Sequence, residues 1–198
     1  MNENLTEIIF VLDRSGSMAG LELDTIGGFN SFVARQTQQE GDVRITAVLF
    51  DDKYELLWNG VTASQAVLTK REYFVRGCTA LLDAVGKTIL NVGCRLAETN
   101  EDERPGKVIF VITTDGLENA SREFTYEKVR KLIQHQKEKY GWEFIFLAAN
   151  IDVEHEADNL GINLEEAYSF EASKAGVKKM YCVVIDAVTQ LRKTNPKN

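Results

Sequence analysis

The sequence predicts an α/β fold in which helices cover both faces of a doubly wound, mostly parallel sheet. Residues 8–12 and 108–112 are runs of five apolar residues, as expected for strands buried on both faces. Segments with helical periodicity alternate with strand-like segments along the chain, which is typical of such a sheet. With 198 residues and 44% hydrophobic content, the chain suits one full core, so we expect one domain over residues 1–198.

The elements after the first strand predict a helix and a hairpin. Residues 21–39 have helical periodicity, although Gly27 and Gly28 each cost the helix about 1 kcal/mol relative to alanine. We expect these glycines to permit close packing of the helix on the sheet. Residues 43–50 and 54–58 are strand-like and are separated by only three residues. So short a turn joins antiparallel strands, which places residues 54–58 as an antiparallel strand at one edge of the sheet.

The second half of the chain continues the alternation of strands and helices. A long, weakly periodic excursion over residues 60–77 precedes a helix at 80–99, and the buried-type strand at 107–113 follows. Gly141 and Gly161 each end a predicted helix. The remaining predicted elements are a helix at 125–140, a strand at 142–148, a short helix at 153–160, a weak strand at 167–170 and a helix at 173–193.

Composition and charge exclude several classes of partner. The formal net charge is -7 and the isoelectric point is near 5.0, whereas nucleic-acid-binding proteins usually carry a basic excess or a basic face. Near the N-terminus there is no basic segment followed by a long apolar run. Each apolar stretch of the sequence is also too short to span a bilayer. We therefore expect a cytoplasmic protein with no nucleic-acid or membrane partner. Cys78, Cys94 and Cys182 are too few for a disulfide framework and are expected to be reduced and mostly buried.

Oxygen-bearing side chains follow the first buried strand directly. Asp13, Ser15 and Ser17 alternate through the next residues, and Gly16 relieves the backbone between them. Asp13 falls at the C-terminal end of its strand, which is the edge where open α/β sheets bind ligands. A carboxylate and two hydroxyls that converge on one point suit a small hard cation. The same residue types are common in turns and helix N-caps, so this segment alone leaves both interpretations open.

Two later residues add oxygen ligands at what we expect to be the same edge of the sheet. Thr79 lies at the start of the helix over residues 80–99, and Asp115 follows the strand at 107–113. The first strands of the two halves of a doubly wound sheet flank the point where the strand order reverses, so Asp13 and Asp115 should share one crevice. The alternative for Thr79 is that its hydroxyl only caps the helix.

Three segments together resemble the metal-ion-dependent adhesion site (MIDAS) of von Willebrand factor A (VWA) domains, and element order and length resemble that family along nearly the whole chain. The segments are Asp13-Arg14-Ser15-Gly16-Ser17-Met18, Gly77-Cys78-Thr79-Ala80-Leu81 and Thr114-Asp115-Gly116. The resemblance implies a Rossmann-like fold in which Ser15, Ser17 and Thr79 bind Mg²⁺ directly, with Mn²⁺ as a substitute. It also implies that Asp13 and Asp115 act mainly through water, so that one coordination position is left for a partner.

The resemblance also implies a function. Domains with this site are protein-binding modules, so we expect a metal-dependent binding protein, not an enzyme, whose partner completes the coordination with an Asp or Glu. Bacterial-type relatives often work with ATPases of the AAA class, so an AAA-type ATPase assembly is an expected partner by analogy. The chain departs from the family pattern at Cys78, where the family often has glycine, and at Arg14, which varies widely. Neither departure removes a ligand.

Two alternatives remain open. Haloacid-dehalogenase-like phosphatases also begin with an apolar strand, an Asp and a Mg²⁺ site, but they need a second Asp where this chain has Ser15, so the nucleophile would lack its acid/base partner. The sequence contains no nucleophile elbow, phosphate-binding loop or dinucleotide fingerprint. The other alternative is a scaffold whose metal site is present but idle, with binding on another face.

Overall fold

The structure is a computed structural model that describes residues 1–194, and in this part of the chain the strands form one six-stranded sheet. The strands are β1 (Asn2–Asp13), β2 (Asp42–Phe50), β3 (Tyr54–Thr62), β4 (Pro105–Thr114), β5 (Glu143–Ala148) and β6 (Ala167–Ser169). Their order across the sheet is β3-β2-β1-β4-β5-β6. The pair β2 and β3 is antiparallel and the other four pairs are parallel. The predicted doubly wound sheet with one antiparallel edge strand is confirmed.

Five α-helices within residues 1–194 connect these strands. They are α1 (Glu22–Thr37), α2 (Leu81–Glu98), α3 (Tyr126–Tyr140), α4 (Val153–Leu160) and α5 (Lys174–Lys193). Helices α3 and α4 end where Gly141 and Gly161 adopt the left-handed conformation, with φ of 64° and 76°, which glycine adopts at little cost. Each predicted helix is present, with ends within two residues. None of the described helices is both long and apolar enough to cross a membrane.

Both faces of the sheet are covered, which explains why β1 lacks the alternation of a half-exposed strand. Ile8, Phe10 and Leu12 point into one core with apolar residues of α1 and α5. Ile9 and Val11 point into the other core with residues of α2, α3 and α4. All five side chains are fully buried. This central position makes the C-terminal end of β1 the middle of one sheet edge.

The two outer strands differ from the central ones. The pairing of β3 with β2 shifts register on both sides of Ala47, and β3 continues to Thr62 where the sequence predicted an end at residue 58. Gly60, with φ of 67°, lies within this irregular part, and its amide donates to the Thr46 hydroxyl at 2.8 Å. At the opposite edge, β6 is only three residues long.

The prediction that the glycine pair of α1 packs closely on the sheet is wrong. Gly28 instead faces α5, where an added Cβ would lie 2.0 Å from Cδ2 of the Tyr181 ring. Gly27 has no neighbour within 4 Å of such an atom. Gly28 therefore permits a close contact between two helices on the same face of the sheet.

The prediction that the cysteines are mostly buried is also wrong, although all three are free thiols. Cys78, Cys94 and Cys182 are exposed. On α2 and α5 the apolar positions that face the sheet exclude Cys94 and Cys182, which therefore lie on the outer sides of their helices.

Candidate metal centre

The candidate metal centre lies where the two central strands end side by side. Leu12 of β1 is in register with Thr113 of β4, so the loops after both strands leave the sheet at one place. Asp13 and Asp115 lie at these strand ends and are each 1% exposed. The expectation that the two carboxylates share a crevice at the carboxyl edge agrees with this register, because parallel strands end on the same side.

The serine hydroxyls connect the two loops. The oxygen atoms of Ser15 and Ser17 lie 3.1 Å apart, within hydrogen-bond distance. Ser17 also donates a short hydrogen bond to Oδ1 of Asp115. A Cβ added at Gly116 would lie 3.4 Å from Ser17 Oγ and 3.5 Å from Thr79 Oγ1. The structure thus brings all three hydroxyls to the space beside Asp115 and Gly116.

Thr79 is held there by a side chain that the sequence analysis missed. The Thr79 amide donates to Oδ1 of Asn119 at 3.0 Å, and the Asn119 amide donates to the Thr79 carbonyl at 3.0 Å. This reciprocal pair joins the segment before α2 to the loop after β4. Asn119 lies four positions beyond Asp115 in the sequence, and its pairing with Thr79 leaves no local pattern by which it could be found.

The structure contradicts the alternative that the Thr79 hydroxyl caps α2. The residue at the N-cap position is Ala80, and no side chain at that position caps the helix. The first amides of α2 are instead satisfied from the loop after β4, since Leu82 N donates to Glu118 Oε2 at 2.9 Å and Asp83 N donates to Ser121 Oγ at 3.0 Å. The Thr79 hydroxyl is therefore not needed by the helix end.

Both carboxylate oxygens of Asp13 already accept hydrogen bonds. Oδ1 accepts from the Ser15 amide and Oδ2 accepts from the Thr114 hydroxyl, each at 2.7 Å. Burial raises the pKa of Asp13 in spite of these bonds. A carboxylate fixed in this way orients its surroundings and supplies charge, which agrees with a role that acts through water.

Asp115 differs from Asp13, because only one of its two carboxylate oxygens accepts a hydrogen bond from the described residues. Its Oδ2 atom is buried, and no described residue donates a hydrogen bond to it. Burial raises the pKa of Asp115 to about 6, and the nearby charge of Asp13 adds to the increase while the bond from Ser17 opposes it. A buried, unpaired carboxylate oxygen is costly. A cation beside it would remove that cost.

The donor set decides which kind of cation fits. No group of three or more His, Cys, Asp and Glu residues that could hold a metal occurs within the described part of the chain. The five predicted residues offer two carboxylates and three hydroxyls, and these hard oxygen donors suit Mg²⁺ or Mn²⁺ better than a structural zinc site built from thiolates and imidazoles. The residues present therefore fit a hard divalent cation.

Comparison with known proteins identifies the fold. No family model and no curated protein sequence matches the chain. Among solved structures, the vWF domain of the type V pili tip protein Mfa5 from Porphyromonas gingivalis matches over 98% of both chains, with a TM-score of 0.67 and 13% identity. This chain therefore has the fold of a von Willebrand factor A domain.

Two other solved structures with this fold hold metal. Proximal thread matrix protein 1 of the mussel byssus, with a zinc-occupied MIDAS motif, matches 92% of this chain and 45% of its own, with a TM-score of 0.63 and 16% identity. Manganese-loaded TRAP protein of Plasmodium vivax matches 91% of this chain and 74% of its own, with a TM-score of 0.59 and 13% identity. The present chain spans about half the length of the mussel protein.

Proposed function

We propose that this chain is a protein-binding module that depends on a divalent cation. In this proposal Ser15, Ser17 and Thr79 bind Mg²⁺, or Mn²⁺ in its place, and Asp13 and Asp115 act mainly through water. The observation that carries the proposal is the buried Oδ2 of Asp115, which accepts no hydrogen bond from residues 1–194 and lies beside three hydroxyls. The metal-loaded structures of similar fold support it.

The same donor set supports a partner that presents an Asp or Glu. Neutral hydroxyls donate little charge, so the bound ion stays electrophilic and gains considerably from an incoming carboxylate. Mg²⁺ keeps several waters when few charged groups touch it, and one of those waters can be exchanged for a partner's oxygen. The hydrolase alternative has no such support, because Ser15 stands where the acid/base carboxylate is required.

Metal binding is expected to raise the thermal stability of the protein. A ligand that binds only the folded state, at 100 times its Kd, adds about 2.7 kcal/mol, which corresponds to roughly 5–10 °C in Tm for a domain of this size. Thermal scans in chelator and in millimolar Mg²⁺ or Mn²⁺ measure the shift. The matched control is Ser15→Ala, which lacks one hydroxyl ligand and should show the same Tm in both solutions. Identical curves for the wild-type protein, with no heat of metal binding in calorimetry, would refute the proposal.

Metal affinity is expected to fall in acid. Protons and the metal compete for the carboxylates, and the pKa of Asp115 near 6 places the onset of this competition just below neutral pH. The apparent Kd should therefore rise about tenfold per pH unit below about pH 6, and more steeply where Asp13 also takes up a proton. Titrations with Mn²⁺ between about pH 5 and 8 test this. An affinity that does not change across this range would show that neither carboxylate contributes.

A further inference from the structure

The loop that carries the serine ligands also carries a fully buried arginine. The Arg14 side chain is 0% exposed. Its Nε donates to Asp51 Oδ2 at 2.9 Å, Nη2 donates to Glu55 Oε2 at 2.6 Å, and Nη1 donates to the Glu72 carbonyl at 3.3 Å. The guanidinium is thus bound in three directions by the β2–β3 hairpin and by the segment before α2. Only arginine offers donors in this planar fork.

A second arginine, Arg76, shares the two carboxylate partners of Arg14. Nε of Arg76 donates to the same Asp51 oxygen at 2.7 Å, and the Arg76 side chain is 38% exposed. Both guanidinium carbons lie 5.2 Å from the centre of the Phe74 ring. Although burial of Asp51 opposes the effect, hydrogen bonds from Arg76, the Lys53 amide and Arg14 hold the pKa of Asp51 below its usual range. Asp51 is therefore a buried anion that joins two cations.

Through Arg76, this ion-pair network holds a segment that leads directly to the candidate ligand Thr79. We call residues 72–80 the strap. We call residues 14–18 the serine loop. The strap is bonded to it by the Arg76 amide, which donates to the Arg14 carbonyl at 3.0 Å, and by the Gly16 amide, which donates to the Gly77 carbonyl at 3.1 Å. It is bonded to the end of β2 by Ala80 N to Asp51 O at 2.9 Å. The last two of these bonds lie on either side of Thr79, so the strap fixes the Thr79 backbone relative to the serine loop.

We propose that Arg14, Asp51 and Arg76 form a positioning network that sets the distance between the Thr79 hydroxyl and the two serine hydroxyls. These three residues determine metal affinity through the backbone of the strap and of the serine loop, without contributing a ligand. This inference rests on the proposed function, because it concerns the affinity of the same site.

The direction in which metal affinity changes when a guanidinium is removed distinguishes a positioning role from a purely electrostatic one. Two like charges in a partly buried site repel each other, so if charge alone mattered, removal of a guanidinium near the site would tighten the binding of a divalent cation. Removal of either guanidinium would also leave the Asp51 carboxylate less neutralised, which makes the surroundings of the site more negative and more attractive to a cation. The positioning network predicts the opposite, a weaker affinity, because the strap loses a bond that holds Thr79 in place.

The test is a titration of Mn²⁺ into wild-type protein, Arg14→Met and Arg76→Met in metal-free buffer. We expect Kd to increase at least about tenfold in both variants, as is usual when groups that orient metal ligands are removed. Arg76→Met keeps the fully buried Arg14 pairs and is the variant that decides if Arg14→Met does not fold.

The matched control is Arg95→Met, which breaks an ion pair between α2 and β1, away from the candidate site. Nη2 of Arg95 donates to Glu7, whose side chain is fully buried, and this pair lies six residues before Asp13 on the strand. Loss of the Arg95–Glu7 pair should lower the free energy of unfolding, as measured by denaturation in chelator. It should leave the Kd for Mn²⁺ unchanged within about twofold.

Three outcomes overturn the inference. If wild-type protein does not bind Mn²⁺, the proposed function fails and this inference fails with it. If wild-type protein binds and both variants bind equally well or more tightly, the site exists and the network does not position it. If Arg95→Met weakens binding as much as Arg76→Met, loss of affinity follows general destabilisation and the network has no particular role.

Discussion

Replacement of Asp115 by asparagine is expected to abolish metal binding and to stabilise the metal-free protein. The folded-state pKa of Asp115, about 6, is above the ordinary value of 3.8. The folded state therefore binds the proton more tightly than the unfolded state, and the free energy of unfolding falls as pH rises from about 4 to about 6 and stays lower above that. An amide carries no charge, so at neutral pH the variant should gain about 1 kcal/mol.

Urea denaturation in chelator near neutral pH, together with Mn²⁺ titration, measures both halves of this prediction. The control is Asp158→Asn, because Asp158 is 72% exposed and pairs with a half-exposed Arg130 at 3.3 Å; it should change neither quantity. In more acidic solution the advantage of Asp115→Asn should disappear, since the wild-type carboxyl is then neutral. A variant that still binds metal, or that is less stable than wild type in chelator near neutral pH, would contradict the assignment of Asp115.

Partner binding is expected to be lost completely on chelation and to change little with moderate salt. With a net charge of -7, the protein repels an acidic partner at long range, so net charge does not bring the two together. In the proposed mechanism the attraction comes from the bound ion over a few ångströms, which salt screens less than it screens exposed charges separated by a Debye length of about 8 Å. Raising the salt should even help slightly, because it screens the repulsion.

The measurement is retention of proteins from a cell extract on the immobilised chain, with Mn²⁺ or with chelator, each at low and moderate salt. Thr79→Ala is the matched variant, since it removes one hydroxyl outside the core and should behave as the wild-type protein does in chelator. Proteins retained through the metal must be released by chelator at every salt concentration. Retention that survives chelation and disappears with salt would indicate an ordinary charged surface and rule out a metal bridge.

The fold was predictable because its strongest signals are local. The uninterrupted apolar runs of β1 and β4 required cover on both faces, and Gly141 and Gly161 end helices by a conformation that other residues avoid. The length of β3 was not predictable, because Asn59-Gly60 has the sequence of a turn, whereas in the structure Gly60 lies inside an irregular strand.

The exposure of the cysteines was within reach of sequence reasoning. The apolar positions of α2 and α5 repeat with helical spacing, and Cys94 and Cys182 fall outside that repeat. At these two positions the helical pattern is a better guide to exposure than the general tendency of cysteine to be buried.

The candidate site was predictable only as far as the residues with ligand-type oxygens. What holds those residues in place depends on contacts between segments distant in sequence, such as Asn119 with Thr79 and Arg14 with Asp51. A single sequence does not show such pairings, because any of several polar residues could have served. Arg14 was singled out only as a variable position, whereas in the structure it is fully buried.

The two outer strands have a consequence for behaviour at high concentration. An edge strand exposes unpaired amide and carbonyl groups on which a strand of another molecule can add, and long, flat edges are the most susceptible. At one edge β6 offers only three residues, and at the other the register shifts around Ala47 distort β3. A three-residue edge and an edge with an irregular register are both poor templates for an incoming strand, so these features of the described sheet disfavour edge-to-edge aggregation.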